Sequence, residues 1–135
     1  MTKLQTISDC VRILKSDYIQ PHQQAWKVKA QEKLDKVLDS LPSGSGIDNG
    51  TKIDFDKSSE DKIVLEVGFH HMNDHGYYIG WTHHVLTVTP SFNFGPNIKI
   101  AGPNKNQIKD YLGEVYLHAL QENEASSEYL AATSN

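Results

Sequence analysis

The chain has 135 residues, which is enough for one hydrophobic core and one domain. Its hydrophobic fraction of 38% and charged fraction of 22% are typical of a soluble globular protein. The formal net charge of -4 argues against binding to long nucleic acids, because such proteins need a basic stripe that displaces counterions.

Apolar residues in the first forty positions recur every three or four residues, which predicts helix. The first helical face consists of Leu4, Ile7, Val11, Leu14 and Tyr18. A second stripe covers residues 22–41 and stops at Pro42. Pro21 separates the two segments, which form either two helices or one kinked helix. Cys10 is the single cysteine, so an internal disulfide is excluded, and its place in the first stripe predicts a buried rather than a reactive thiol.

Alternating apolar and polar residues predict four strands in the middle of the chain. They cover about 51–56, 63–69, 79–89 and 92–100, the last interrupted at Gly95 and Pro96. A final helix is predicted from Lys105 to Gln121, with Asn104 as its N-cap and Gln107 completing a capping box.

This order of elements predicts an α+β fold, a two-layer sandwich. A four-stranded antiparallel meander carries the N-terminal helix, or kinked helix pair, and the C-terminal helix on one face. Residues 1–122 form the single domain, and residues 123–135 lack an apolar face and are predicted to be a disordered tail. No apolar run approaches the ~18 residues of a membrane span, and no signal peptide is evident, so we expect a cytoplasmic protein without a membrane partner.

Histidines are concentrated between the second and third predicted strands. Five of the seven lie in the run FHHMNDHGYYIGWTHH, namely His70, His71, His75, His83 and His84. Imidazole titrates near neutral pH, binds metals and transfers protons, so any chemistry of this chain is first expected here.

The turn between these two strands decides where the histidines point. If Asn73 to Gly76 forms the turn, Gly68 lies opposite Trp81 and Glu66 lies opposite His83. His71 and His84 then fall on the face that carries the apolar residues, near its ends. The other face remains uncovered and carries a predicted binding surface, which consists of Glu66, His70, Trp81 and His83, with Tyr77 and Tyr78 at its edge.

The histidine cluster has two further interpretations. Solvated or structural imidazoles are the simplest one. A metal site is the other, in which His70, His71, His75 and His83 bind a divalent transition metal, although their spacing matches no established zinc motif. A metal-dependent hydrolase would use some of these histidines, or His84, with Glu66 or Asp74. No residue is assigned a catalytic role, because no nucleophile motif such as GxSxG occurs.

The aromatic residues beside the histidines point to a binding partner. Tyr77, Tyr78 and Trp81 can stack on a nucleotide-like small molecule or contact a protein. An uncovered aromatic sheet face also predicts a homodimer. No cofactor is needed for either interaction.

Three segments resemble a family of small uncharacterised proteins of bacteriophages and bacterial mobile elements. They are LPSGSGIDNGTKIDFD, FHHMNDHGYYIGWTHHVLTVTPS and IKIAGPNKNQIKDYLGEV. The resemblance covers residues 41–115 and implies a cytoplasmic accessory protein of a bacterial host, with no functional residue to transfer. By analogy it suggests an inhibitor of a host or defence protein. The leading hypothesis is therefore a non-enzymatic accessory binding protein; the alternatives are the metal-dependent hydrolase and a small structural or assembly protein.

Overall fold

A computed structural model describes residues 1–17, 21–44, 46–47, 50–90, 95–103 and 106–123 of the chain, with only the backbone described at 106 and 107. Three helices and four strands follow one another in the order α1 (Lys3–Leu14), α2 (Pro21–Asp39), β1 (Lys52–Ile53), β2 (Ile63–Met72), β3 (Tyr78–Thr89), β4 (Asn97–Ala101) and α3 (Asn106–Leu120). The strands form one antiparallel sheet in the order β1-β2-β3-β4. The predicted α+β class and the meander are confirmed.

The N-terminal region forms two separate helices. α1 starts with a capping box, in which the Thr2 hydroxyl accepts a hydrogen bond from the Gln5 N–H and the Gln5 side chain accepts one from the Thr2 N–H. The helix ends at Leu14 with Lys15 as its C-cap, and residues 16–17 are not helical. Pro21 is the first residue of α2, where its missing N–H costs nothing. Tyr18, predicted as the last residue of the first helical face, lies outside the described residues.

All three helices pack on the same face of the sheet. β2 contributes Ile63, Leu65 and Val67 to the core, and β3 contributes Leu86 and Val88, as alternation along each strand requires. The helices contribute most of the remaining apolar residues, among them Ile7, Leu34, Leu112 and Tyr116, and the segment between α2 and β1 adds Leu41 and Ile47. Cys10 is buried within this core, as predicted.

Several sequence predictions differ from the structure at element ends. β1 has only two residues where about six were predicted, because residues 54–58 form turns stabilised by hydrogen bonds from Ser58 to Asp54 and Phe55. The first half of the predicted fourth strand and the Asn104 cap lie outside the described residues, as do the Gln107 side chain and tail residues 124–135. Asn123, the first residue of the predicted tail, forms a β-bridge with Thr2.

The predicted register of the β2–β3 hairpin is wrong by two residues. Glu66 lies opposite Val85 rather than His83, and Gly68 lies opposite His83 rather than Trp81. One residue of the difference comes from the turn, since Met72 pairs with Tyr78. The second comes from a β-bulge at Ile79, which has no partner on β2. Because two added residues restore the two-residue period of a strand, the side chains of β3 from Trp81 onwards stay on their predicted faces.

No helix among the described residues is both long and apolar enough to cross a bilayer.

Candidate functional site

The sheet face opposite the helices, called the open face below, carries the predicted binding residues. Residues Glu66, His70, Trp81 and His83 lie on it, because alternate residues of β2 and β3 point away from the core. Trp81 lies directly opposite His70, and 47% of its surface is exposed. Tyr78 joins this face through a ring contact with His70, at 5.6 Å between centroids. The structure therefore brings these five residues together.

The two cross-strand contacts that were predicted as direct pairs occur as diagonal ones. His83 Nε2 lies 3.4 Å from Glu66 Oε1. The indole of Trp81 covers Gly68, where an added Cβ would be 2.5 Å from Nε1. Diagonal neighbours on adjacent strands are within reach of long and aromatic side chains, so a two-residue change in register keeps both contacts.

A depression of about 270 Å³ lies beside Trp81 on the open face. Its polar groups come from Glu66, His83 and Lys52, and the last is the Cα partner of Glu66 on β1. The Trp81 ring lies 6.1 Å from the His83 ring, centroid to centroid. An indole, a carboxylate, an imidazole and a lysine amine thus line a shallow site. Lys52 was not among the predicted residues, since its position depends on the pairing of β1 with β2.

Tyr77 lies at the tip of the hairpin. The side-chain oxygen of Asn73 accepts hydrogen bonds from the backbone N–H groups of His75 and Tyr77, and Gly76 adopts a φ of 82°. A short Asn side chain and a residue with positive φ are what a tight turn of this type requires. The turn holds the Tyr77 side chain away from the protein, and it is exposed.

The five clustered histidines do not converge. His70 and His83 lie on the open face, His71 and His84 lie on the helix-covered face, and His75 lies in the turn. Within the part of the chain that the structure describes, no group of three or more His, Cys, Asp or Glu side chains is arranged to hold a metal ion. The alternation of strand side chains accounts for this separation, since adjacent histidines point to opposite faces.

His71 and His84 take part in a hydrogen-bonded chain beneath the sheet. The Thr82 hydroxyl lies 2.7 Å from His71 Nε2 and 2.9 Å from His84 Nε2. His84 is 1% exposed, and its Nδ1 has no hydrogen-bond partner among the described residues. An orphaned acceptor costs less than an orphaned N–H, so we assign the His84 proton to Nε2, which donates to Thr82. Thr82 then donates to His71.

Burial is the main reason that the pKa of His84 is lowered from its ordinary value of 6.5, and the charges of His71, His83 and Lys109 lower it further. Gly102 packs closely against the His84 ring, since a Cβ added at position 102 would be 2.5 Å from His84 Nδ1. These contacts make His84 a neutral structural residue. A structural role was one of the interpretations that the sequence allowed for the histidine cluster.

Exposed apolar side chains are concentrated at the end of the hairpin. The described residues include nine large exposed apolar side chains, and five of them fall between positions 72 and 81. They are Met72, Tyr77, Tyr78, Ile79 and Trp81. Met72 and Ile79 were not predicted as site residues, and Ile79 lies at the bulge. The hairpin end, defined as residues 70–83, therefore contains more than half of these exposed apolar side chains.

Comparison of the chain with protein-family models, curated proteins and solved structures finds no significant match in any of the three.

Proposed function

We propose that this chain is a non-enzymatic accessory binding protein that contacts a protein partner through the hairpin end and the adjoining open face. The observation that carries the proposal is the group of five exposed apolar side chains within ten residues. Tyr, Trp and Met are enriched in protein interfaces, and exposed apolar groups of this kind mark interaction sites in monomeric proteins.

The polar groups around this apolar patch suit an interface as well. The Glu66–His83 pair and Lys52 lie next to Trp81, and all of them are accessible. Protein interfaces typically have an apolar core and a polar rim, and Trp is one of the residues that most often dominate binding in such a core. The resemblance to proteins of phages and mobile elements supports an accessory role in a bacterial cytoplasm, with inhibition of a host or defence protein as the biological outcome.

The test is a comparison of affinity captures from bacterial lysate with quantification by mass spectrometry. The double variant Trp81→Ala/His83→Ala should lose the proteins that the unchanged chain captures at stoichiometric amounts. Trp26→Ala is the matched control, because Trp26 is similarly exposed but lies on α2, outside the hairpin. Identical captures by the unchanged chain and the double variant, both correctly folded, would refute the proposed surface.

A small nucleotide-like ligand is a second candidate, favoured by the depression beside Trp81. An aromatic ring can stack on a base, while Lys52 and His83 offer cationic and hydrogen-bonding groups to a phosphate. Native mass spectrometry of untagged protein tests this candidate together with the metal-dependent hydrolase and the assembly protein. A retained nucleotide, a stoichiometric transition metal or a large oligomer would each favour one of these three over the protein-binding proposal.

A further inference from the structure

A groove of about 330 Å³ lies between α1 and α2, in the helical layer of the fold. Cys10 and Ala30 are buried at its floor, and the larger side chains of Ile13 and Trp26 lie nearer its rim. Most of its accessible wall is apolar, whereas the wall of the depression beside Trp81 is as polar as it is apolar. Small-molecule sites are typically concave and mainly apolar, with volumes from about 300 Å³ upwards. The groove therefore has the size and the lining of such a site.

Trp26 provides an aromatic surface at the rim of this groove. It is 56% exposed, although indole is among the largest apolar side chains. The ring of His22, one helical turn earlier, contacts the indole edge-on at 5.4 Å between centroids. This contact restricts the orientation of the indole before any ligand binds. A preformed aromatic surface binds a hydrocarbon group at a lower entropic cost than a mobile one.

Two lysines lie on the same face of α2 as Trp26. Lys29 and Lys33 follow it by three and seven residues, and both are exposed and line the groove. Like charges four residues apart on a helix repel each other and destabilise it. Neither lysine forms an ion pair with any residue that the structure describes. An anion bound between them would offset this repulsion.

The acidic residue of the groove does not neutralise these lysines. Asp9 lines the groove from α1, and its carboxylate accepts a hydrogen bond from Arg12 and forms an ion pair with it. Positive charge therefore remains in excess around an otherwise apolar groove. This combination is complementary to an anion that carries a hydrocarbon group.

We propose that the groove binds a small apolar carboxylate. Its hydrocarbon part lies against Ile13 and Trp26, and its carboxylate pairs with Lys29 and Lys33. The groove has room for on the order of ten non-hydrogen atoms, given the ~30 Å³ that one water molecule occupies in the liquid. Octanoate is a carboxylate of this size. The site does not use the hairpin end and does not depend on the proposed function.

An NMR titration of the untagged protein tests the site, with octanoate as the probe. Octylammonium is the matched probe, because it has the same alkyl chain and the opposite charge. We expect saturable shifts of the Trp26 indole N–H and of the Cys10 and Ala30 amides, with a dissociation constant below about 1 mM. The Trp81 indole N–H should not shift.

The sign of the charge decides the ligand class. Octylammonium should bind at least about fivefold more weakly than octanoate, because the lysines repel it. Equal affinities for the two probes, or no saturable shift up to about 10 mM octanoate, would overturn the proposal.

Charge variants separate a carboxylate site from a groove that binds any alkyl chain. Lys29→Gln/Lys33→Gln should weaken octanoate binding about three- to tenfold and leave octanol binding unchanged, because only the carboxylate loses its partners. Lys57→Gln/Lys62→Gln is the matched control, which removes the same charge at two exposed lysines outside the groove. Equal loss of octanoate affinity in both double variants would contradict the site, since net charge alone would then explain the loss.

The two tryptophans distinguish this site from the open face. Trp26→Ala should weaken octanoate and octanol binding alike, because it removes the aromatic surface, and Trp81→Ala should change neither. Octanoate binding that depends on Trp81 and not on Trp26 would overturn the assignment to the groove. The proposed function is tested separately, since Trp81→Ala/His83→Ala should lose the protein partner and keep octanoate binding.

Discussion

Trp81 covers Gly68 diagonally across two strands, and a Cβ at position 68 would lie 2.5 Å from the indole Nε1. The absence of a side chain at Gly68 therefore lets the indole lie flat against β2. This contact sets the orientation of the most exposed aromatic group that faces the depression on the open face.

Gly68→Ala should displace the indole of Trp81. Because a half-exposed ring can rotate outward, we expect a stability loss below about 1 kcal/mol and a shift of the Trp81 fluorescence to longer wavelength. The measurement uses a Trp26→Phe background with selective tryptophan excitation, so that Trp81 is the only tryptophan observed. Gly113→Ala is the control, since its Cβ would be 3.5 Å from Ile100 and should stabilise α3 by about 0.5–1 kcal/mol. Unchanged Trp81 emission in Gly68→Ala would show that the two residues are not coupled.

Thr82→Val should destabilise the protein by about 1–3 kcal/mol, because buried His84 would lose the hydrogen-bond partner of its Nε2. The substitution keeps the shape of the side chain and its preference for a strand. Thr87→Val is the matched control on the same strand. Its side chain lies on the open face, and we expect a change within about 0.5 kcal/mol. Urea denaturation measures both; equal effects would mean that the His71–Thr82–His84 chain contributes nothing.

Acidification should reduce stability through His84. Its pKa is lowered in the folded state, so the unfolded chain binds more protons below its own pKa of about 6.5. The contribution of neutral His84 is therefore complete above about pH 6.5 and decreases as the pH falls, at up to about 1.4 kcal/mol per pH unit for this one group. Below the folded-state pKa the decrease from this group stops.

Urea denaturation between about pH 7 and pH 5 checks this dependence. His84→Gln should give a smaller slope of unfolding free energy against pH, and the slope is the quantity to compare, whatever the absolute stability of the variant. Identical slopes would show that His84 does not take up the proton on unfolding.

The Glu66–His83 pair should contribute little to stability. The side chains are 38% and 43% exposed, and exposed ion pairs typically contribute less than about 1 kcal/mol. Glu66→Gln should accordingly leave the urea midpoint nearly unchanged, in low and in high salt. A loss of several kcal/mol would indicate that the pair is structural and not part of an interaction surface.

The faces of the hairpin could be predicted from sequence, although its register could not. The recurrence of Ile63, Leu65, Val67 and Phe69 at every second position indicates which side of β2 meets the helices. The turn length and the bulge at Ile79 depend on backbone geometry that the residue pattern does not specify. The two deviations are of one residue each, so their effects on the face assignment cancel.

The length of each strand also could not be predicted from the sequence. The pattern in residues 51–56 resembles a six-residue strand, yet hydrogen bonds of Ser58 turn the chain after Ile53.

The most direct test of the binding surface is photo-crosslinking from single positions. A photoreactive phenylalanine analogue replaces Tyr78 on the hairpin end in one variant and Val28 on α2 in another; both positions are exposed. We expect the label at position 78, and not the label at position 28, to form a covalent adduct with one protein partner in bacterial lysate, an adduct that disappears when His83→Ala is added. Equal labelling from both positions, or no adduct from position 78, would contradict the assignment of the hairpin end as the contact surface.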